Sequence, residues 1–202
     1  MPTSFPWRTA YINLRNHRKI LVIDGIIGFT GGMNIRRYHI LNTHCSHHIQ
    51  DLHFRVTGPV VRHLQEAFSE DWYFTTEDVL SGPEWFPDLH NAGSTIARGI
   101  THGPDEDIDN MHNVILSALS CARRSVRIVT PYFLPDIRII SALNVACLRG
   151  VDVDVIVPAV NNLRLVGWAM SAQFWQVLKW GCRIWMSPPP FDHTKFMVVD
   201  NT

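Results

Sequence analysis

One pattern occurs twice in this chain, and it constrains the fold more than anything else in it. NHRKILVIDG (16–25) and DHTKFMVVDN (192–201) both read H-x-K, then four apolar residues, then Asp. His, Lys, Asp and the third apolar residue, Val22 or Val198, are identical in register. A run of four β-favouring apolar residues closed by a turn residue reads as a short buried strand. Two such strands with the same polar ends point to two structurally related halves.

The rest of the chain fits an α/β arrangement. GIIGFTGG follows the first copy as a second strand, so residues 10–31 predict an extended run leading into a hairpin. Residues 36–50 are polar and His-rich and read as loop. LHFRVTG is a strand stopped by Gly58-Pro59, and Val60, Val61, Leu64, Ala67 and Phe68 then trace a helical face. Residues 76–108 lose periodicity and are the candidate boundary between a half at 1–105 and a half at 106–202. Beyond it, helices at 109–122, 137–148 and 163–180 alternate with strands SVRIVT, VDVDVIVPA, CRIWMSP and HTKFMVVD. That alternation predicts sheets layered with helices.

The repeated pattern suits chemistry at a phosphodiester. Residues i and i+2 of a strand point to one face, so His17 and Lys19 project together, as do His193 and Lys195. Attack on a phosphodiester needs a nucleophile, a cation for the phosphoryl oxygens and an acid for the leaving alkoxide. Imidazole serves as nucleophile or acid near neutral pH, and ammonium supplies charge. Two copies provide two of each.

The paired motifs resemble those of the phospholipase D superfamily. GFTGGMNI (28–35), DLHFRVTGPVVRHLQEAFSEDWYF (51–74), TPYFLPD (130–136) and LRGVDVDVIVPA (148–159) resemble its bacterial cardiolipin synthase branch. The resemblance covers nearly all of the chain except about 76–108. It implies an α/β fold, a phospholipase D-like αβα sandwich of two pseudo-symmetric halves, each with a mixed sheet flanked by helices. It implies a two-step phosphatidyl transfer between phosphatidylglycerol molecules through a phosphohistidine, without metal or other cofactor. On that pattern His17 is the nucleophile and His193 the acid, then base, in an order that the pseudo-symmetry leaves open. Lys19 and Lys195 hold the phosphate. Asn34 adds a hydrogen bond to it, and Gly31 and Gly32 allow close backbone approach. Asp24 and Asp200 end their strands in supporting roles. Asp51 is either a carboxylate behind His17 that fixes its tautomer, as in a triad, or a surface residue before a strand.

Against the family pattern the two halves are unequal. Regular α/β chain from Asp109 onward precedes the second motif, whereas only residues 1–16 precede the first. The first is followed by a glycine-Asn element, the second only by Asn201 and Thr202. The expectation is a chain lacking the front of one half and the back of the other, peripheral at the cytoplasmic face of a membrane. Its apolar runs are too short to span a bilayer, and exposed sheet edges would favour a homodimer. Seven Trp supply interfacial aromatics.

Rival readings follow from other features. Lys plus Arg equals Asp plus Glu, 18 each, so no basic field favours a nuclease of the same superfamily, and no nucleic-acid partner is expected. His44, Cys45, His47 and His48, with His39 and His53 nearby, suggest a metal module. One loop without a distant second ligand pair reads instead as solvated histidines. Cys45, Cys121, Cys147 and Cys182 form no C-x-x-C and read as reduced thiols of a cytosolic compartment. A phospholipase D-type hydrolase and an inactive remnant that binds lipid without turnover complete the alternatives.

Overall fold

The computed structural model describes residues 16–40, 48–103 and 109–201. Residues 10–15 of the expected extended run, and His44, Cys45 and His47, lie outside them. The chain divides into two compact units. The first comprises Met1–Thr30 and Arg55–Asn110, the second Gly31–Phe54 and Met111–Thr202. Residues 31–54 thus fold with the second unit, not with the first motif as their place in the sequence suggested.

In the first unit, β1 (Ile20–Ile23) and β2 (Ile27–Gly31) form the expected antiparallel hairpin. Asp24 and Gly25 turn the chain with φ of 52° and 65°, and Ile26 N–H donates to Ile23 O at 3.0 Å. A side chain at Gly25 would strike the Pro87 ring. β4 (His53–Thr57) joins as the third strand in the order β1-β2-β4. After Gly58 (φ 83°) and Pro59, α1 (Val60–Thr76) packs its apolar face on the hairpin, with Val61 and Ala67 buried. Gly28 makes room for Leu64 and Val61.

The segment 78–103 contains no helix or strand, yet it is not a linker between units. Ala92 lies against Gly58, and the Gly99 N–H donates to His63 Nδ1 of α1 at 2.9 Å. It is a strap across the first unit. Its loss of periodicity has a physical reason: a chain held by turns and single polar contacts carries no repeating apolar face.

The second unit is built on a four-stranded sheet in the order β7-β6-β5-β9. β5 (Ser125–Val129), β6 (Asp152–Pro158) and β7 (Arg183–Ser187) run parallel, and β9 (Phe196–Val199) is antiparallel to β5. The helices are α2 (Asn110–Cys121), α3 (Ile137–Leu148), α4 (Arg164–Gln173) and α5 (Trp175–Leu178). Asp136 caps α3 by accepting from Ile139 N–H at 3.0 Å. One core gathers Leu119 of α2, Leu143 and Ala146 of α3, Met170 of α4 and Val177 of α5 against Val126, Val153, Val155 and Val157 of the sheet. Burying each large aliphatic contributes about 1.5–3 kcal/mol. Cys182 is part of this core, and burial pushes its thiol up to about 12, which leaves it unreactive.

The expected single helix 163–180 is two helices broken at Phe174, which still has helical dihedrals (φ −54°, ψ −38°). A two-stranded parallel ribbon, β3 (Ile49–Gln50) with β8 (Phe191–Asp192), completes the unit. Its first strand, β3, lies inside the stretch 36–50 that its polar composition marked as loop. Two residues are too few to show a period.

Asp154 sits at the centre of β6 with its side chain 11% exposed. Arg183 Nε and Trp185 Nε1 donate to its Oδ1 at 2.6 and 2.8 Å, and Arg127 Nη1 lies 2.9 Å from Oδ2. The hydrogen bond from Arg183 pulls the carboxyl down to about 2 against the opposing effect of burial. Asp154→Asn should therefore cost about 2 kcal/mol, read as a shift in denaturant midpoint. The sign of its pH dependence follows from the depressed value. The stabilisation is complete above the unfolded carboxyl value of about 4 and vanishes as pH falls through about 2. The gap between parent and variant should close over that window; a gap that persists below it would exclude the charge as its source.

Candidate active site

The sequence repeat is also a structural repeat. Each copy places H-x-K in extended chain just before a four-residue strand, β1 or β9, and each strand ends on an Asp in the left-handed region, at φ 52° for Asp24 and 54° for Asp200. The histidines and lysines therefore precede their strands; the expectation had them within. The alternation still holds, because extended backbone alternates whether or not it is paired. The residue between His and Lys turns inward in both copies. Arg18 donates to Ala67 O and Asp71 Oδ1 of α1, both at 3.1 Å, and Thr194 is 4% exposed. Asn16 adds a bond to Asp71 Oδ2 at 2.6 Å. The x position is the anchor that leaves His and Lys on the other side.

The two lysines share a further feature. Lys19 Nζ donates to His17 O at 2.6 Å, and Lys195 Nζ donates to His193 O at 3.0 Å. Each ammonium thus curls back onto its own histidine. In the second copy it also lies 3.0 Å from His193 Nε2 and 3.2 Å from Nδ1.

Around His193 the second unit builds a polar array. The parallel pairing of β3 with β8 carries Asp51 beside His193, and the His193 N–H donates to Gln50 O at 2.8 Å. Asp51 Oδ2 is 3.0 Å from His193 Nδ1, with side chains 1% and 14% exposed. The carboxylate is held in turn by Leu52 N–H, which donates to Oδ1 at 2.9 Å. Asp51 therefore backs His193, whereas its place in the sequence suggested His17. Sequence proximity misled because Asp51 is set by a ribbon to residues 191–192, which no local pattern announces. A carboxylate on Nδ1 selects the tautomer with its proton on that nitrogen.

Gly31 and Gly32 also serve Asp51. Gly32 N–H donates to Leu52 O at 2.9 Å, and a side chain at Gly32 would collide with the Asp51 carboxylate. At Gly31 (φ 155°) it would collide with Leu52 O and His53. The close approach expected of these glycines is thus made to this chain's own 51–53 segment. Asn34 follows in a half-buried bend, its carbonyl accepting from Arg36 N–H at 2.8 Å.

Asp200 is a structural knot. Its carboxylate accepts from the backbone N–H groups of Arg123, Arg124 and Ser125 at 2.7–3.2 Å. These bonds, the one from Ser125 first, hold its carboxyl below the ordinary range. It ties the end of β9 to the start of β5.

Three further residues surround His193. Tyr132 approaches the imidazole edge-on with centroids 6.0 Å apart, and its hydroxyl donates to Asn162 Oδ1 at 3.1 Å. Phe191 lies 6.2 Å from the same ring. His39, taken for a solvated loop residue, is 8% exposed, and burial lowers its pKa despite the opposing pull of Asp51. TPYFLPD contains Tyr132 and the His-rich stretch contains His39, but nothing in the sequence placed either beside His193, and Phe191 was not singled out. Among the described residues no group of three His, Cys, Asp or Glu is arranged to hold a metal ion. His17, Lys19 and Asp24 belong to the first unit, and Asn34, Asp51, His193, Lys195 and Asp200 to the second.

Comparison with known proteins accords with this geometry. Residues 115–202 match a family model described as "Cardiolipin synthase, PLD-like domain". A crystal structure of phosphatidylserine synthase from Haemophilus influenzae Rd KW20 aligns with a TM-score of 0.56 at 15% identity, over 91% of this chain and 51% of that one. That likeness establishes a shared fold. Residues 115–202 thus carry a phospholipase D-like domain. The sequence is 37% identical over 201 residues to a cardiolipin synthase of Geobacillus sp. (strain WCH70), covering 98% of this chain and 40% of that protein. It is 38% identical over 191 residues to cardiolipin synthase A of Pseudomonas entomophila (strain L48), covering 94% and 39%. The chain thus spans about 40% of the length of these curated relatives.

Proposed function

We propose that this chain carries the reactive groups of a phosphatidyl transferase that makes cardiolipin from phosphatidylglycerol. The carrying observation is the array of Asp51, His193 and Lys195 on one copy of a motif that the chain contains twice. In the reading adopted here, His17 attacks phosphorus. An N–P bond forms, the P–O bond to the head-group glycerol breaks, and His193 protonates the departing glycerol oxygen. His193, now neutral, takes the proton from a hydroxyl of a second phosphatidylglycerol. That oxygen attacks the phosphohistidine, the N–P bond breaks, and His17 is regenerated. Lys19 and Lys195 neutralise the phosphoryl oxygens. Asp51 keeps His193 in one tautomer, and Asn34 donates to the phosphate. Asp24 and Asp200 hold the strand ends.

Water in place of the second lipid gives the hydrolase alternative, with phosphatidic acid as product. No helix among the described residues is long and apolar enough to cross a membrane, so contact with lipid would be at a surface. The test is incubation with labelled phosphatidylglycerol in detergent micelles and mass spectrometry of the products. Cardiolipin with released glycerol supports the transferase; phosphatidic acid alone replaces it with the hydrolase. No product from folded protein would leave the inactive-remnant reading.

A further inference from the structure

We propose that the outward face of α4 and α5 is the surface on which the second unit docks to an anionic phospholipid bilayer. The proposal rests on the phospholipid reading above but adds a place and a chemistry to it. The two helices follow each other directly through Phe174, which keeps helical dihedrals. Their inward side is accounted for: Met170 and Val177 are buried, and Val166 and Phe174 pack against the same core. A surface helix with its apolar side so used presents polar residues outward. This one does not. Leu165 is 75% exposed, Trp168 69% and Trp175 60%, and Leu163 before the helix is 52% exposed. An apolar patch of this kind marks a site of interaction.

The charges around the patch select the partner. No Asp or Glu occurs between Val155 and Phe191, a stretch that contains Arg164, Lys179 and Arg183. Arg164 stands at the start of α4. Lys179, just after α5, places its Nζ 4.9 Å from the Trp175 ring and 5.5 Å from Trp180. Indole rings with cations at their edge match the boundary between acyl chains and anionic head groups, where Trp seats its ring and Lys extends its ammonium to phosphate.

The interior adds an independent pointer. A cavity of about 270 Å³ is bordered by Trp168, Arg164 and Phe174. A second, of about 490 Å³, is bordered by Phe191, the residue two before His193. The two share Pro158, Val160 and Asn161. No Lys, Arg, Asp or Glu is among the described residues lining the larger one. A lining whose one charge is Arg164, beside the exposed indole, and which is otherwise uncharged therefore leads from Trp168 towards Phe191, as a lipid's head-group phosphate followed by its glycerol and upper acyl segment would require. A protein partner would account for the indoles but not for that continuity.

The test is sedimentation of the chain with vesicles of phosphatidylglycerol or of phosphatidylcholine, alongside tryptophan emission. The parent should bind phosphatidylglycerol vesicles with blue-shifted emission. Leu165→Ser with Trp168→Ser should weaken binding by about tenfold or more. Arg164→Gln and Lys179→Gln should each cost about fivefold, an effect that salt removes. All four side chains are on the outside, and an unchanged unfolding temperature would show the fold intact. Failure of the parent to bind, or binding that survives the Leu165/Trp168 change, overturns the proposal. So does self-association that this change abolishes, which would make the occupant a second copy. His193→Ala separates this inference from the proposed function, because it should bind vesicles as the parent does. Vesicle binding by a parent without turnover sinks only the transferase reading; micellar turnover without vesicle binding sinks only the docking surface.

Discussion

His193→Ala is expected to lower turnover of phosphatidylglycerol by at least about 10³-fold, with the protein still folded. The imidazole has one ring nitrogen committed to Asp51 and an ammonium 3.0 Å from the other. In the proposed mechanism, removing the ring removes the group that moves the proton in both half-reactions. His17→Ala should be as severe, because the partner histidine cannot form the N–P bond and protonate the leaving group in one step. The double variant should then be no worse than either single one, as for residues that act as a unit. Product quantified by mass spectrometry decides this. Turnover retained within about tenfold in either single variant would exclude the two-histidine mechanism. Trapped phosphoprotein, present in the parent and absent from His17→Ala, would fix the order of the two roles.

Asp51→Asn should reduce turnover by about 10²–10⁴-fold while leaving binding of substrate almost unchanged. The substitution preserves size, which matters because Gly32 packs directly on this carboxylate. It replaces a pure acceptor by an amide that can turn its NH₂ group towards His193 Nδ1. The imidazole would then accept there and carry its proton on the other nitrogen, the wrong one for the chemistry. A merely structural role would appear as a lowered unfolding temperature with kcat preserved. A fall in kcat at constant KM and constant stability marks a positioning role. Unchanged kcat would mean that Asp51 only fills the space under β8.

Much of the secondary structure was legible because it rests on local rules. The β1–β2 hairpin followed from Asp24-Gly25 between two apolar runs, and the end of α3 from Arg149-Gly150 as stop. The parallel strands β5, β6 and β7 were readable as apolar runs between helices. What was not legible has a common cause. The ribbon of Ile49–Gln50 with Phe191–Asp192 joins residues more than a hundred positions apart by very few bonds, and it alone decides which histidine Asp51 serves. The strap 78–103 and the buried place of His39 likewise depend on distant partners, Gly58 and α1 for one and the neighbourhood of Asp51 for the other.

By itself the sequence determined the pair of motifs, the strands that follow them and the Asp that ends each strand, because a short apolar run closed by a turn residue reads as a strand. It also carried the resemblance to the phospholipase D superfamily, since that spacing occurs twice. Only the tertiary structure decided that Asp51 stands behind His193, that Gly31 and Gly32 make room for residues 51–53, and that Leu165 and Trp168 face outward when their helix neighbours are buried. The reason is physical. Local pattern sets the conformation of a segment and the direction its side chains alternate. Which groups meet is set by register between segments far apart in the chain, and that is fixed by packing and hydrogen bonds that form only when the whole unit folds.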